Sequence, residues 1–234
     1  MISVLKKELF SYFTSAIGYV VLTVFFIYAG FCFYVTCLMA NSADLSYTFS
    51  NLFTAMVFLI PIITMRLMSE EKKQKTDQLL FTAPVSLPTV VLGKYFSALC
   101  MILLCESVTI LYTLVISFFT RPNFGIIAGN FLGLFLISGA FAAIGLFLSS
   151  VTENQIIAAT GSFGVGVFFL LLDTIARSIP VSAVNKLLLN ISFMQKYNNF
   201  TAGVLELRDV VFFISVIFTF LFLTVRFFEK RRWS

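Results

Sequence analysis

Residues 69–92 read SEEKKQKTDQLLFTAPVSLPTVVL, and the reading of the fold turns on this polar stretch. It is the one long charged interruption on the basic side of an otherwise apolar chain. The segments before and after it are hydrophobic enough to sit in lipid. A polar connector held between two membrane helices is a place where a cytosolic partner can push or pull on them.

The connector carries its own helix punctuation. Ser69 is expected to cap a helix whose first turn holds Glu70 and Glu71, acidic residues that suit a positive helix end. Thr76 and Asp77 continue or restart it, and Leu79, Leu80 and Phe81 give it an apolar edge. Pro84 breaks the helix, and Ser86-Leu87-Pro88 opens the next. Two readings stand at this point: a short rigid helix across the membrane face, able to transmit force, or a solvated charged loop.

Composition sets the class. Of 234 residues, 59% are hydrophobic and 12% charged, against about a quarter charged in soluble domains, so the chain reads as a membrane protein. Histidine is absent, which removes the usual general base and the commonest metal ligand. The net charge of +5 comes from basic residues at membrane boundaries, where topology accounts for it and no nucleic-acid partner is needed. Cys32, Cys37, Cys100 and Cys105 lie inside apolar runs without a C-x-x-C pair and read as reduced, structural thiols.

Residues 2–13 place Ile2, Leu5, Leu9 and Phe13 on one helical face and Lys6, Lys7 and Glu8 largely on the other, the pattern of an interfacial helix. A signal peptide is the alternative, disfavoured by the long aromatic run that follows. Six spans come next, at about 16–38, 50–68, 93–119, 126–148, 155–173 and 209–227, each near the roughly 20 residues that cross about 30 Å of hydrocarbon. Lys94 is expected to snorkel from the start of the third span. Residues 149–154 imply a tight hairpin with Glu153 at its tip. With the N-terminus inside, 11 of the 16 Lys and Arg residues fall on the side of the termini and the 69–92 connector, and 5 on the other. Positive-inside therefore puts both termini and the connector in the cytosol. The 174–208 segment is then external, with short helices resting at or dipping into the outer interface, as part of a gate or as a passive cap.

Gly125, Gly129 and Gly133 recur every fourth residue and give a smooth face for close helix packing, within the chain or between subunits. Gly161, Gly164 and Gly166 lie within a span, so GSFGVG reads as helix packing or a bend rather than a dinucleotide site. No P-loop motif occurs, so ATP has no P-loop site on this chain. Glu106 is the one acid deep inside a span, which makes it a pathway candidate or inter-helix glue, hydrogen-bonded to Ser107, Thr109 or a neighbouring helix.

Glu70-Glu71-Lys72, the run from Thr76 to Ser86 and Val91-Leu92-Gly93-Lys94-Tyr95 together resemble ABC-2 type permease subunits. The likeness is strongest to the gliding-motility-type branch, with its EE+xxGTxELLxTxPVS…VxGK pattern. Lys75 stands where that pattern has glycine and Asp77 where it has glutamate, changes expected to keep helix and charge. Residues 201–212, TAGVLELRDVVF, resemble the family's xRGVIDLRDxxYF. The resemblance covers essentially the whole chain. It implies an all-α permease of six transmembrane helices with a cytoplasmic coupling helix, in the bacterial inner membrane. It also implies a half-transporter that pairs with a second permease subunit and binds a separate ABC ATPase, which carries the ATP and Mg. A membrane-anchored auxiliary subunit with an external domain often accompanies the branch. On this resemblance Glu70, Glu71, Lys72, Thr76, Asp77, Gln78, Leu79 and Leu80 are the expected ATPase contacts, with Arg66 and Lys94 anchoring the lever. Lipid-like or peptide cargo, or force transfer to an external partner, all fit. The rival reading is an ion- or proton-coupled carrier or channel working through Glu106. An intramembrane enzyme is disfavoured by the missing histidine and the lack of paired carboxylates within a span.

Overall fold

The computed structural model describes residues 1–76, 86–178 and 182–232. Among them every regular element is helical and six helices are long and apolar enough to cross a membrane. The chain runs α1 (Ile2–Thr14), α2 (Ala16–Phe33) with a π-helical turn at Tyr34–Met39, α3 (Ser46–Thr64) and α4 (Arg66–Lys73). It continues through α5 (Leu87–Glu106), α6 (Val108–Phe119), α7 (Phe124–Val151), α8 (Gln155–Ser178), α9 (Ser182–Ile191), α10 (Phe193–Thr201) and α11 (Leu207–Arg232). Two of the six spans are composite. Ser46–Lys73 joins α3 and α4 across Met65, and Leu87–Phe119 joins α5 and α6 across Ser107.

The bundle is built around α7, which packs against α3, α4, α5, α8, α10 and α11. Its sequence explains the position. Between Ser138 and Leu146 every residue is buried, and six of the nine are Ser, Gly or Ala, so neighbouring helices can approach closely. A side chain at Gly145 would run into Thr64 of α3. The hairpin from α7 to α8 turns within Thr152–Asn154, where the Asn154 side chain accepts from the Ile156 amide.

The 182–201 segment packs into the bundle. α9 and α10 fold back so that Phe193, Tyr197 and Phe200 are fully enclosed by the bundle. Phe200 meets the glycine face of α7: a Cβ at Gly133 would lie 2.7 Å from the Phe200 Cβ and Cγ, and Gly129 faces the Phe200 carbonyl. That seam is therefore intramolecular. Gly125, expected on the same face, is exposed and meets only its own capping residue Asn123. Tyr197 donates to the Phe49 carbonyl at 3.1 Å. Lys196 pairs with Asp209 at 3.0 Å, and the Asn199 amide donates to the other Asp209 oxygen at 2.7 Å. Gly203, at φ 78, ends α10, with its N–H on the Phe200 carbonyl and that of Val204 on the Asn199 carbonyl. This is the Schellman arrangement that glycine adopts without steric cost.

Gly133→Val is expected to lower thermal stability in detergent by about 1–3 kcal/mol, because the Phe200 ring is fixed on both sides. Gly164→Ala, with nothing within 4 Å of the added carbon, is expected to stay within about 0.5 kcal/mol of the parent.

Candidate functional site

The polar end of the bundle is organised by the step between α3 and α4. Pro61 removes one amide donor from α3; the Met65 N–H still reaches the Pro61 carbonyl at 2.9 Å, and the regular helix is interrupted at Met65. The first amides of α4 need another acceptor. Ser149, at the end of α7, supplies it: its hydroxyl accepts from the Met68 and Ser69 amides, each at 3.1 Å, and donates to the Met65 carbonyl at 2.8 Å. A side chain from another helix thus caps α4. Ser69 does not start this helix as its sequence suggests. It lies inside α4 and turns its hydroxyl back to the Met65 carbonyl, the usual behaviour of a serine held in mid-helix.

α1 crosses α4 and α5 at this step, turning Glu8 inward while Lys6 and Lys7 stay exposed. Val4 sits over Gly93 of α5, where any Cβ would meet it at 3.0 Å. Glu8 and Tyr12, one turn apart, are buried, whereas Ile2, Phe10 and Phe13 are exposed in the direction that suits lipid. Lys94 is fully enclosed and reaches three acceptors: Glu8 Oε1 at 2.7 Å, Glu71 Oε2 at 3.0 Å and the Leu67 carbonyl at 2.6 Å. Lys94 therefore does not snorkel to water as its place at a span's start suggests, because the carboxylates come to it. Lys7 takes the remaining Glu71 oxygen at 3.0 Å. Burial works against its charge, but the Glu71 hydrogen bond and the Glu71, Glu8 and Glu70 charges prevail and hold the ammonium pKa above its ordinary 10.5.

Arg66 completes the clamp. Its guanidinium lies 4.5 Å above the Tyr12 ring and donates to Ser15 Oγ at 2.9 Å and Ser11 Oγ at 3.2 Å. Tyr12 in turn donates to the Ile63 carbonyl at 2.7 Å, and burial pushes its phenol pKa well above the ordinary range, so it stays a neutral donor. Lys72 runs the other way. It is buried, bonds the Ser150 carbonyl, and stands 4.9 and 5.5 Å from the Phe227 and Phe228 rings of α11. Between α1 and α4 lies a cleft of about 480 Å³ bordered by Glu8, Arg66, Glu70, Glu71, Thr76 and Lys94.

α4 stops at a Schellman turn. The Lys75 N–H bonds the Lys72 carbonyl and the Thr76 N–H the Glu71 carbonyl, at 3.1 and 2.9 Å, with Lys75 at φ 57. An L-residue holds that left-handed conformation at a cost of about 1–2 kcal/mol, whereas glycine takes it freely. The substitution of lysine for the pattern's glycine therefore does not preserve a helix; it sits at the helix stop. Of the expected contact residues, Glu71 and Lys72 direct their charges into the chain, while Glu70 and Thr76 border the cleft. Asp77, Gln78, Leu79 and Leu80 lie outside the described residues, as does the rest of 77–85.

Glu106 sits apart, at the α5–α6 break, fully buried. Ser107 and Thr109 turn their hydroxyls to the Leu104 and Glu106 backbone carbonyls. The Ser138 hydroxyl lies against the carboxyl without hydrogen-bond geometry, and among the described residues neither carboxyl oxygen finds a donor. No group of three or more Cys, Asp or Glu residues is placed to hold a metal ion among the described residues.

Glu8, Tyr12, Ser149 and Ser150 are missed by sequence reasoning. Glu8 and Tyr12 leave one usable signal, an acid and an aromatic at i, i+4 in an interfacial helix. The chemistry of this cluster is mechanical: one ammonium shared by two helices' carboxylates fixes α1, α4 and α5 together. Lys94→Met leaves the buried Glu8 without its cation and Glu71 with Lys7 alone, and is expected to cost about 3–5 kcal/mol in thermal unfolding. Glu8→Gln and Glu71→Gln added to it are expected to recover much of that loss.

No curated protein sequence matches the chain. A family model described as ABC-2 family transporter protein matches residues 2–233. Members are normally membrane components of ABC transporters without catalytic activity of their own, working with an ATPase subunit. Six membrane-length helices around an α7 core agree with that assignment. The chain belongs to the ABC-2 transporter family, as a multi-pass ABC permease subunit.

Proposed function

We propose that this permease couples ATP hydrolysis on a separate ATPase chain to export, or to force transfer, through the segment that leaves α4 at Lys75. The observation that carries the reading is the clamp at Lys94. It joins the connector's first turns to α1 and α5 by charged hydrogen bonds with little exposure to solvent. Force applied at the connector then moves α3–α4 and α5 together instead of bending a loop. Glu70 and Thr76, half-buried at the cleft beside the exposed Lys73, Gln74 and Lys75, are the described members of the expected set left for an ATPase contact, with 77–80 the remainder of that set. Arg66 and Lys94 anchor it, while Glu71 and Lys72 serve the fixed end of the lever. ATP and Mg bind to the partner, and this chain does no chemistry of its own.

In this reading the connector and both termini are cytosolic in a bacterial inner membrane, supported by the asymmetry of Lys and Arg. Two permease copies or homologues line the pathway, and the α9–α10 hairpin, latched by Asp209, closes its outer end. The 70–86 and 201–212 patterns favour the gliding-motility-type branch and with it an auxiliary subunit bearing an external domain.

A second reading rests on Glu106, whose buried carboxyl has no hydrogen-bond donor among the described residues. It would make the chain an ion- or proton-coupled carrier. Purification in mild detergent separates the two. A P-loop ATPase is expected to accompany the wild-type chain and to be lost from Glu70→Lys/Thr76→Arg, while Glu106→Gln retains it. Absence of any ATPase from the wild-type preparation contradicts the coupling reading. Transport abolished by Glu106→Gln with the ATPase still bound supports a pathway role for Glu106.

A further inference from the structure

A groove of about 330 Å³ runs between α5 and α11, away from the clamp and the outer hairpin. Its two walls are single helical stripes. Pro88, Val91 and Leu92 form one, and Phe218, Leu221, Phe222 and Val225 the other, ending in Arg226 and Glu229. These spacings of three and four residues place each set on one face of its helix. Phe218 and Phe222 are exposed at 71% and 47%, so the groove opens sideways, where a membrane chain meets lipid.

Length and charge both have a direction. From Phe218 to Glu229 the groove follows α11 for about 16 Å at the helical rise, close to half of a roughly 30 Å hydrocarbon layer. That is the depth of one leaflet. The deep end is apolar. The shallow end lies where α5 begins, with Pro88 in its first turn and the Thr89 and Val90 amides bonded to the Ser86 carbonyl, so the charge at that level is carried by side chains. Arg226 stands beside it with its side chain 63% exposed, giving one bond to Glu229 at 2.8 Å and resting 5.0 Å from the Phe222 ring. A guanidinium has five donors, so others stay available. In sequence, Lys230, Arg231 and Arg232 follow immediately. Among the described residues lining the groove, Glu229 is the one acid beside Arg226.

We propose that the groove seats one anionic phospholipid of the leaflet on the side of the two chain ends. An acyl chain would lie along Val91, Leu92, Phe218 and Leu221, and the phosphate would lie on the Arg226 guanidinium. A phospholipid meets both ends of the groove; a second copy of the chain would bring apolar surface to its deep end and leave the basic end without a counter-charge. Because α5 also carries Lys94, the bound lipid braces the helix that the clamp holds.

The test titrates the delipidated full-length chain in mild detergent with phosphatidylglycerol or phosphatidylcholine and counts retained lipid by native mass spectrometry. Phosphatidylglycerol is expected to bind about fivefold more tightly than phosphatidylcholine, the preference that one basic residue near a membrane surface confers. Arg226→Gln is expected to remove most of that preference, and Leu221→Trp, which fills the groove, to lower retention of both lipids. Equal retention of the two lipids by the wild-type chain overturns the proposal. So does unchanged phosphatidylglycerol retention in Leu221→Trp at native helix content. Should Leu221→Trp fail to fold, a photoreactive phosphatidylglycerol on the wild-type chain decides: cross-links to Val91 or Phe218 support the seat, and cross-links confined to other helices overturn it. A disulfide between two copies through Phe222→Cys also overturns it, making the groove a subunit seam.

Discussion

The inner end of this protein depends on one ammonium shared by two carboxylates. Lys94 is sealed from solvent and would be costly there alone. It is tolerated because Glu8 arrives from α1, Glu71 from α4 and a backbone carbonyl from Leu67. Each carboxylate is in turn held in place by the position of its helix. The helices converge only because Gly93 lets Val4 approach and because Ser149 caps the broken start of α4. Remove the cation and two carboxylates face one another in a poorly solvated cleft, with only the largely exposed Lys7 left on Glu71. The arrangement is therefore cooperative.

The two ends of the bundle solve similar problems with similar chemistry. At the outer end Asp209 takes Lys196 and Asn199, and Lys196 also lies 4.5 Å from the Phe212 ring. This ties the α9–α10 hairpin to the start of the last span, while Phe200 fills the space that Gly133 leaves. Between the two clamps lies α7, whose small residues bring α3 and α5 close. A displacement of α3–α4 at the inner end therefore passes through close-packed surfaces towards the hairpin, since protein interiors transmit strain.

Much of the scaffold was legible because it depends on local composition. Six apolar runs of membrane length, a helix over the first residues and the tight turn at Glu153 follow from hydropathy and spacing. The clamp was not legible, because it depends on which helices meet. Lys94 at the edge of a span reads equally as a residue reaching for water, and nothing local reveals that Glu8 and Glu71 converge on it. Ser69 has the right chemistry for a cap, yet the helix is interrupted four residues earlier, at Met65, and Ser149 supplies the cap. Lys75 shows the limit of counting charge: its backbone conformation, not its side chain, is what the helix stop uses. The glycine face was readable as a packing seam, but its partner, Phe200, lies far along the chain.

The central claim is that α1 and α4 move as one body when the connector is pushed. Spin labels at Lys6→Cys and Lys73→Cys, in a chain with Cys32, Cys37, Cys100 and Cys105 replaced, report that distance by double electron–electron resonance with the ATPase partner present. A second pair, Lys73→Cys and Arg121→Cys, spans the two sides of the membrane. The account predicts a narrow α1–α4 distance unchanged between nucleotide-free and ATP-trapped states, with a shift in the transmembrane pair. A broad or nucleotide-dependent α1–α4 distance contradicts it.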